Sequence, residues 1–148
     1  MEPYTGGART WRKYKVRTTA GAIVGAVTGP LAAPGTVLLG RYDTAGLQYT
    51  GRSTTLSAHV GRALGEVLAR PTSAHPWQGW TFSAGWGTQR TLDVVLVEPA
   101  VVLEVTVDVA RDAARRFRHP ARPHRIRTDV DVAQVPRFGE PGSDVGGP

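Results

Sequence analysis

Two short basic segments hold the residues best suited to phosphate chemistry. The first is Trp11-Arg12-Lys13-Tyr14-Lys15. In an extended backbone Lys13 and Lys15 project from one face and Tyr14 from the other, so two ammonium groups about 7 Å apart could straddle one phosphate. The second runs from Arg115 to Asp129 and contains six arginines with no acid before Asp129. Pro120 and Pro123 interrupt any continuous helix there, which places the arginines on an extended or turning segment. Arg125 and Arg127 share a face by their i, i+2 spacing. Guanidinium forks bind phosphate oxygens bidentately and stay charged at any workable pH. Taken alone, the lysine segment also reads as a solvated basic strand, and the arginine segment as a basic tail that touches nucleic acid without specificity.

Other candidate sites are weaker. His75, His119 and His124 lie beside prolines or several residues apart, and no HExxH or paired His/Asp spacing exists, so no metal site is expected. The glycines from Gly21 to Gly29 lack the following Gly-Lys-Ser/Thr of a phosphate-binding P-loop. Trp77, Trp80, Phe82 and Trp86 could stack on bases, although such residues more often close the end of a small barrel, and packing is the preferred reading.

These residues need a scaffold, and the hydrophobic pattern supplies one. Ala22–Thr28 reads as a strand ended by Gly29-Pro30. Thr36–Tyr42 and Leu47–Ser53 read as a hairpin around Asp43-Thr44-Ala45-Gly46. From Thr55 to Ala69, apolar residues at Leu56, Val60, Ala63, Leu64, Val67 and Leu68 give the spacing of an amphipathic helix. Thr54 or Thr55 is its expected cap and Pro71 its stop. Thr91–Val97 and Val101–Val107 read as two more strands, with Glu98-Pro99 between them where no ladder donor is needed. Five strands with one helix between the third and fourth is the layout of a mainly β, five-stranded OB-fold Greek-key barrel. After Val135 the chain turns to Gly, Pro and Asp, the composition of a disordered tail.

At 148 residues, 41% of them hydrophobic, the chain is long and apolar enough for one domain with a real core. No cysteine is present, which excludes disulfides, thiolate metal sites and cysteine nucleophiles and suits a cytoplasmic protein. The formal net charge is +6 and the pI about 10.5, favouring a polyanionic partner. Of the 18 Lys and Arg only Lys13 and Lys15 are lysine, a bias that a GC-rich genome produces by itself. Between Arg17 and Arg41 no residue is charged, but Pro30, Pro34 and the intervening glycines would break a spanning helix. That run is read as two short buried strands, with no membrane partner expected.

In their order and spacing these pieces resemble ATP-dependent DNA ligases, especially the actinobacterial kind. Gly6-Gly7-Ala8-Arg9-Thr10-Trp11 followed by Lys13 and Lys15 is similar to the approach to motif V and its KxK pair. Ile23–Gly29, Leu39–Asp43 and Tyr49–Arg52 resemble the opening strands of the ligase OB domain. His75-Pro76-Trp77 and the Val97-Glu98-Pro99 to Glu104-Val105 pair follow in order. Arg118-His119-Pro120 through Arg125-Ile126-Arg127-Thr128-Asp129 looks like motif VI. The resemblance covers about residues 4–135.

What the resemblance implies is a division of labour. Residues 1–19 would be the end of an adenylation domain carrying motif V, residues 20–135 the OB domain, and residues 136–148 the tail. Lys13 and Lys15 would bind the nucleotide α-phosphate, while Arg125, Arg127 and Asp129 would form the lid motif that orients pyrophosphate. Val130 departs from the lysine of many relatives. Arg41, Arg52, Arg118 and Arg122 would meet DNA along its backbone at a nick, in replication, repair or recombination. ATP and Mg2+ would be engaged only through an adenylation domain, and the module would act as a monomer.

Ligase chemistry begins with the lysine of Lys-x-Asp-Gly attacking the α-phosphate. Neither lysine stands in that context and these 148 residues contain no Asp-Gly dipeptide. The expectation is therefore a chain inactive alone, acting with an adenylation domain. Two other readings stay open at this stage: a stand-alone single-strand nucleic-acid-binding OB protein, and a non-enzymatic interaction subunit.

Overall fold

The computed structural model describes residues 17–82, 91–108 and 120–138. Six strands and a helix follow one another as β1 (Arg17–Thr28), β2 (Thr36–Asp43), β3 (Gly46–Arg52), α1 (Ala58–Val67), β4 (Val94–Leu96), β5 (Val102–Asp108) and β6 (Arg122–Ile126), then a 3-10 turn at Val132–Gln134. They form one mainly antiparallel sheet in the order β3-β2-β1-β5-β6, with β4 also on β1.

β1 is the spine. It pairs with β2 through Ile23–Thr28 on one edge, and with both β4 and β5 on the other. The sequence reads two separate strands around Glu98-Pro99, but β4 and β5 run in the same direction along β1, Leu96 opposite Ala26 and Val102 opposite Ile23. Hydrogen bonds from Val97 N to Gly25 O (3.1 Å) and from Val24 N to Val101 O (2.9 Å) carry the ladder between them. The two segments are therefore one interrupted line, and Glu98–Ala100 is an excursion from it. The excursion is tied to the chain beyond α1, Glu98 N donating to Ala69 O and Glu98 Oε1 accepting from Thr72 N.

A strand absent from the sequence reading is β6. The segment expected to be extended or turning pairs with β5, Arg125 opposite Glu104 and Ile126 opposite Leu103, with an irregularity between Glu104 and Val105. Pro123 is tolerated there because only one edge of β6 is bonded to β5. Immediately before β6, Ala121 forms a parallel bridge with Ser53 at the end of β3. Ala121 N donates to Arg52 O (2.9 Å) and Thr54 N to Ala121 O (2.8 Å). The ends of the two outer strands are thus tied to each other at one point, which curls the sheet.

The core explains why β1 reads as an almost continuous apolar run. Ala20, Ala22, Val24 and Val27 pack in one cluster with Leu39, Leu64, Leu103 and Val105, while Ile23 and Ala26 face a second cluster with Leu38, Leu47, Trp77 and Phe82. The change of phase between Val24 and Val27 falls at the register shift between Val24 and Ala26, where one extra residue reverses which side each neighbour faces. Gly25 and Gly40 make the slot for Trp77: a Cβ at either would meet the indole at 2.5 Å and 2.8 Å. The buried Trp77 ring also donates from Nε1 to Leu47 O (2.8 Å), and His75 Nδ1 accepts from Trp77 N (2.9 Å). Packing rather than base stacking is therefore the role of Trp77 and of buried Phe82, while Trp80 lies against Trp77 and stays 42% exposed. Trp86 lies outside the described residues.

α1 starts later than expected. Ser57, not Thr54 or Thr55, caps it, its Oγ accepting from Val60 N at 3.2 Å. Leu56 is already buried, its N–H bonded to Gly35 O, so the preceding residues serve the sheet. Gly61 and Gly65, one turn apart, let the helix approach the backbone at Ala32–Pro34, and a Cβ at Gly65 would fall 2.0 Å from Ala32 O. Among the described residues no helix is long and apolar enough to cross a membrane.

Candidate functional site

The charged cluster of interest is built by β5 and β6. Along β5, Leu103, Val105 and Val107 are buried in the core, so strand alternation turns Glu104 and Thr106 outward. Arg125 stands opposite Glu104 in the β5–β6 register and donates from Nε to Glu104 Oε1 at 2.7 Å. Arg127, just past the end of β6, is anchored through its backbone, its N–H donating to Val102 O at 2.9 Å. Its guanidinium reaches Glu104 Oε1 at 3.8 Å through Nη1. The shared face read from the i, i+2 spacing is thus present, and both arginines converge on one carboxylate.

Arg127 makes a second and stronger connection. Nε and Nη2 donate to Asp129 Oδ1 and Oδ2 at 2.9 and 3.0 Å, a two-pronged pair closing the turn after β6. These hydrogen bonds from Arg127, with one from backbone and the nearby positive charge of Arg127 and Arg125, hold the Asp129 carboxyl down at about 2. The same hydrogen bond raises Arg127 above its already high value. Exposure divides the group: the side chains of Arg125 and Asp129 are 65% and 67% exposed, those of Arg127 and Glu104 only 20% and 14%. The 3-10 turn follows directly, Asp131 Oδ1 accepting from Ala133 N (3.3 Å) and Gln134 Oε1 from Asp131 N (2.7 Å).

Sequence reasoning missed Glu104 as part of this site. The available signal was a lone acid within the apolar run Val101–Val107, but its partner is set by strand register rather than by spacing along the chain.

The other sequence candidates fall in different places. Arg52 and Arg122 flank the Ser53–Ala121 bridge, one residue before it and one after it, half-buried and exposed respectively. Arg41 does not join them. It is 1% exposed and donates from Nε (3.1 Å) and Nη2 (2.8 Å) to Gly21 O, crossing from β2 to β1. A guanidinium committed to its own backbone is not offered to a phosphate, so Arg41 leaves the set of DNA-facing residues. Lys13, Lys15 and Arg118 lie outside the described residues. Among the described residues no group of three or more His, Cys, Asp or Glu gathers to hold a metal ion.

Two solved structures share this architecture. One is the ligase domain from M. tuberculosis LigD, matched with a TM-score of 0.62 and 26% identity over 82% of this chain. The chain resembles part of a DNA ligase domain. A mycobacterial DNA ligase D complexed with ATP and MES matches equally well, with a TM-score of 0.62 and 25% identity over 81% of the chain. The matched region is 39% and 38% of those two chains, so this chain spans well under half of each ligase structure. No protein-family model matches the sequence, and no curated protein matches it. The similarity to ligases is therefore carried by the three-dimensional arrangement together with about a quarter of the residues.

Proposed function

We propose that this chain is the OB-fold module of an ATP-dependent DNA ligase, acting in nick sealing during DNA repair or replication with an adenylation domain that supplies the nucleophile. The observation that carries this reading is the match of 82% of the chain to a mycobacterial ligase domain. The strand order supports the OB assignment: with β4 and β5 as one interrupted line, five lines remain, α1 falls between the third and fourth, and the parallel bridge joins the third to the last.

In this role Arg125, Arg127 and Asp129 form a lid over the nucleotide. Expelling pyrophosphate builds negative charge on the leaving group, and guanidinium groups carried on a closing element meet that charge without being rebuilt at each turnover. ATP and Mg2+ are held by the adenylation domain, and Lys13 and Lys15 handle the α-phosphate. Arg52 and Arg122 at the sheet closure, with Arg118, are the proposed contacts to the backbone of a nicked duplex, positioning it without reading its sequence.

The test is reconstitution. Mixed with an adenylation domain from a related ligase, the chain is expected to stimulate sealing of a labelled nicked duplex and, alone, to bind that duplex without turning over ATP. Binding of single strands in preference to nicked duplex, with no stimulation of sealing, would sink this reading and favour a general nucleic-acid-binding protein.

A further inference from the structure

The lid motif holds two arginines, and the structure does not treat them alike. All three guanidinium nitrogens of Arg127 are engaged, two on Asp129 at 2.9 and 3.0 Å and the third within 3.8 Å of Glu104. Its side chain is only 20% exposed. A phosphate arriving here must displace a two-pronged carboxylate, which is the strongest geometry a guanidinium forms. Arg125 spends one nitrogen, Nε, on Glu104 at 2.7 Å, and among the described residues its two terminal nitrogens have no partner. That side chain is 65% exposed.

Glu104 is what separates the two. It sits on a paired strand between buried Leu103 and Val105, so its carboxylate is anchored while the longer arginine is not. Bonding at Nε fixes the guanidinium plane and leaves the two terminal amino groups without a hydrogen bond among the described residues. A flexible, rotamer-rich side chain is thereby ordered before any phosphate arrives.

We propose that Glu104 is a positioning residue of the lid: it holds Arg125 by Nε so that the outer amino groups of Arg125 take the phosphate, while Arg127, forked on Asp129, is the strut that shapes the turn. This rests on the lid reading above and refines it, moving phosphate contact from Arg127 to Arg125.

The experiment compares the full chain with Glu104→Gln, Glu104→Ala, Arg125→Ala and Arg127→Ala, measuring ATP-dependent adenylation of the added adenylation domain. Thermal midpoint and nicked-duplex affinity are recorded for each. Glutamine keeps an oxygen for Arg125 Nε, so Glu104→Gln should stay within about threefold of the parent chain. Glu104→Ala should lower kcat about tenfold with KM for ATP little changed, and Arg125→Ala should fall further, on the scale of losing one transition-state donor. Arg127→Ala should instead lower the thermal midpoint. Alanine at position 104 matching the parent chain, or glutamine falling as far as alanine, overturns the positioning role.

A second measurement stands even if a variant fails to fold. Inorganic pyrophosphate titrated into the parent chain should shift the guanidinium Nε–H resonance of Arg125 more than that of Arg127, and the reverse order overturns the assignment. If the parent chain itself gives no stimulation, the lid reading fails; if stimulation is present but indifferent to position 104, only this refinement fails.

Discussion

Against β1 and β2 Trp77 lies in the slot left by Gly25 and Gly40, fully buried, with its one polar atom bonded to Leu47 O. On the β5–β6 surface Arg125 stands 65% exposed, held at a single nitrogen. The first region tolerates no change of volume, because the ring is enclosed by packed neighbours. The second depends on a hydrogen-bond acceptor held in place rather than on filled volume, because Arg125 is fixed only by its bond to Glu104 and otherwise stands in solvent. Arg41 belongs with the first despite its charge, being buried and bonded to Gly21 O. Residue type alone does not say which regime a side chain falls in; the face it occupies does.

The sharpest way to break this contrast is to empty the slot. Trp77→Ala should cost about 3–5 kcal/mol, read from the urea midpoint at constant m, and a loss below about 1 kcal/mol would deny Trp77 its place in the core. Gly25→Ala pushes a methyl into the same indole and should cost about 1–3 kcal/mol. Arg41→Ala should destabilise by about 1–3 kcal/mol through the unpaired Gly21 carbonyl, with nicked-duplex affinity unchanged for the folded fraction. A selective loss of DNA binding there would return Arg41 to the DNA face.

On the charged surface the effects emerge in salt dependence rather than stability. Arg52→Ala with Arg122→Ala should reduce the log–log salt slope of duplex binding by about 0.9 for each phosphate that is no longer neutralised. Arg122→Ala alone should leave the folding stability within about 0.5 kcal/mol of the parent chain. An unchanged slope in the double variant would move the DNA-binding face elsewhere.

The smallest expected effect is a pH signature at Asp129. Its carboxyl is held at about 2 in the folded chain against an ordinary 3.8, so the unfolded chain binds the proton more readily. The contribution of the Arg127–Asp129 pair is thus complete above about pH 4 and disappears as pH falls toward 2. Comparing urea midpoints of the parent chain and Asp129→Asn from about pH 6 to about pH 2 should show a constant gap that closes over that window. A gap independent of pH would mean that the pair is not formed in solution.

Much of the scaffold was legible from local pattern. β2 and β3 lie within a residue of the spans read from alternation and the Asp43–Gly46 turn, because a hairpin is written in adjacent residues. α1 was found by its apolar spacing but not its start, since Leu56 belongs to the core and Ser57 takes the cap. β6 was missed because Pro123 and the arginines around it mask a strand whose partner, β5, lies beyond the intervening residues.

By itself the sequence determined the mainly β character, the helix between the third and fourth lines, the basic charge, the packing role of Trp77, the absence of a Lys-x-Asp-Gly nucleophile from these residues, and a likeness to ligases that the solved structures bear out. Only the tertiary structure decided that Arg41 faces inward, that Arg52 and Arg122 both flank the parallel Ser53–Ala121 bridge, and that Glu104 gathers Arg125 and Arg127. The reason is physical: side-chain type and period are local quantities, whereas which strand lies beside which, and in what register, depends on how the whole sheet closes.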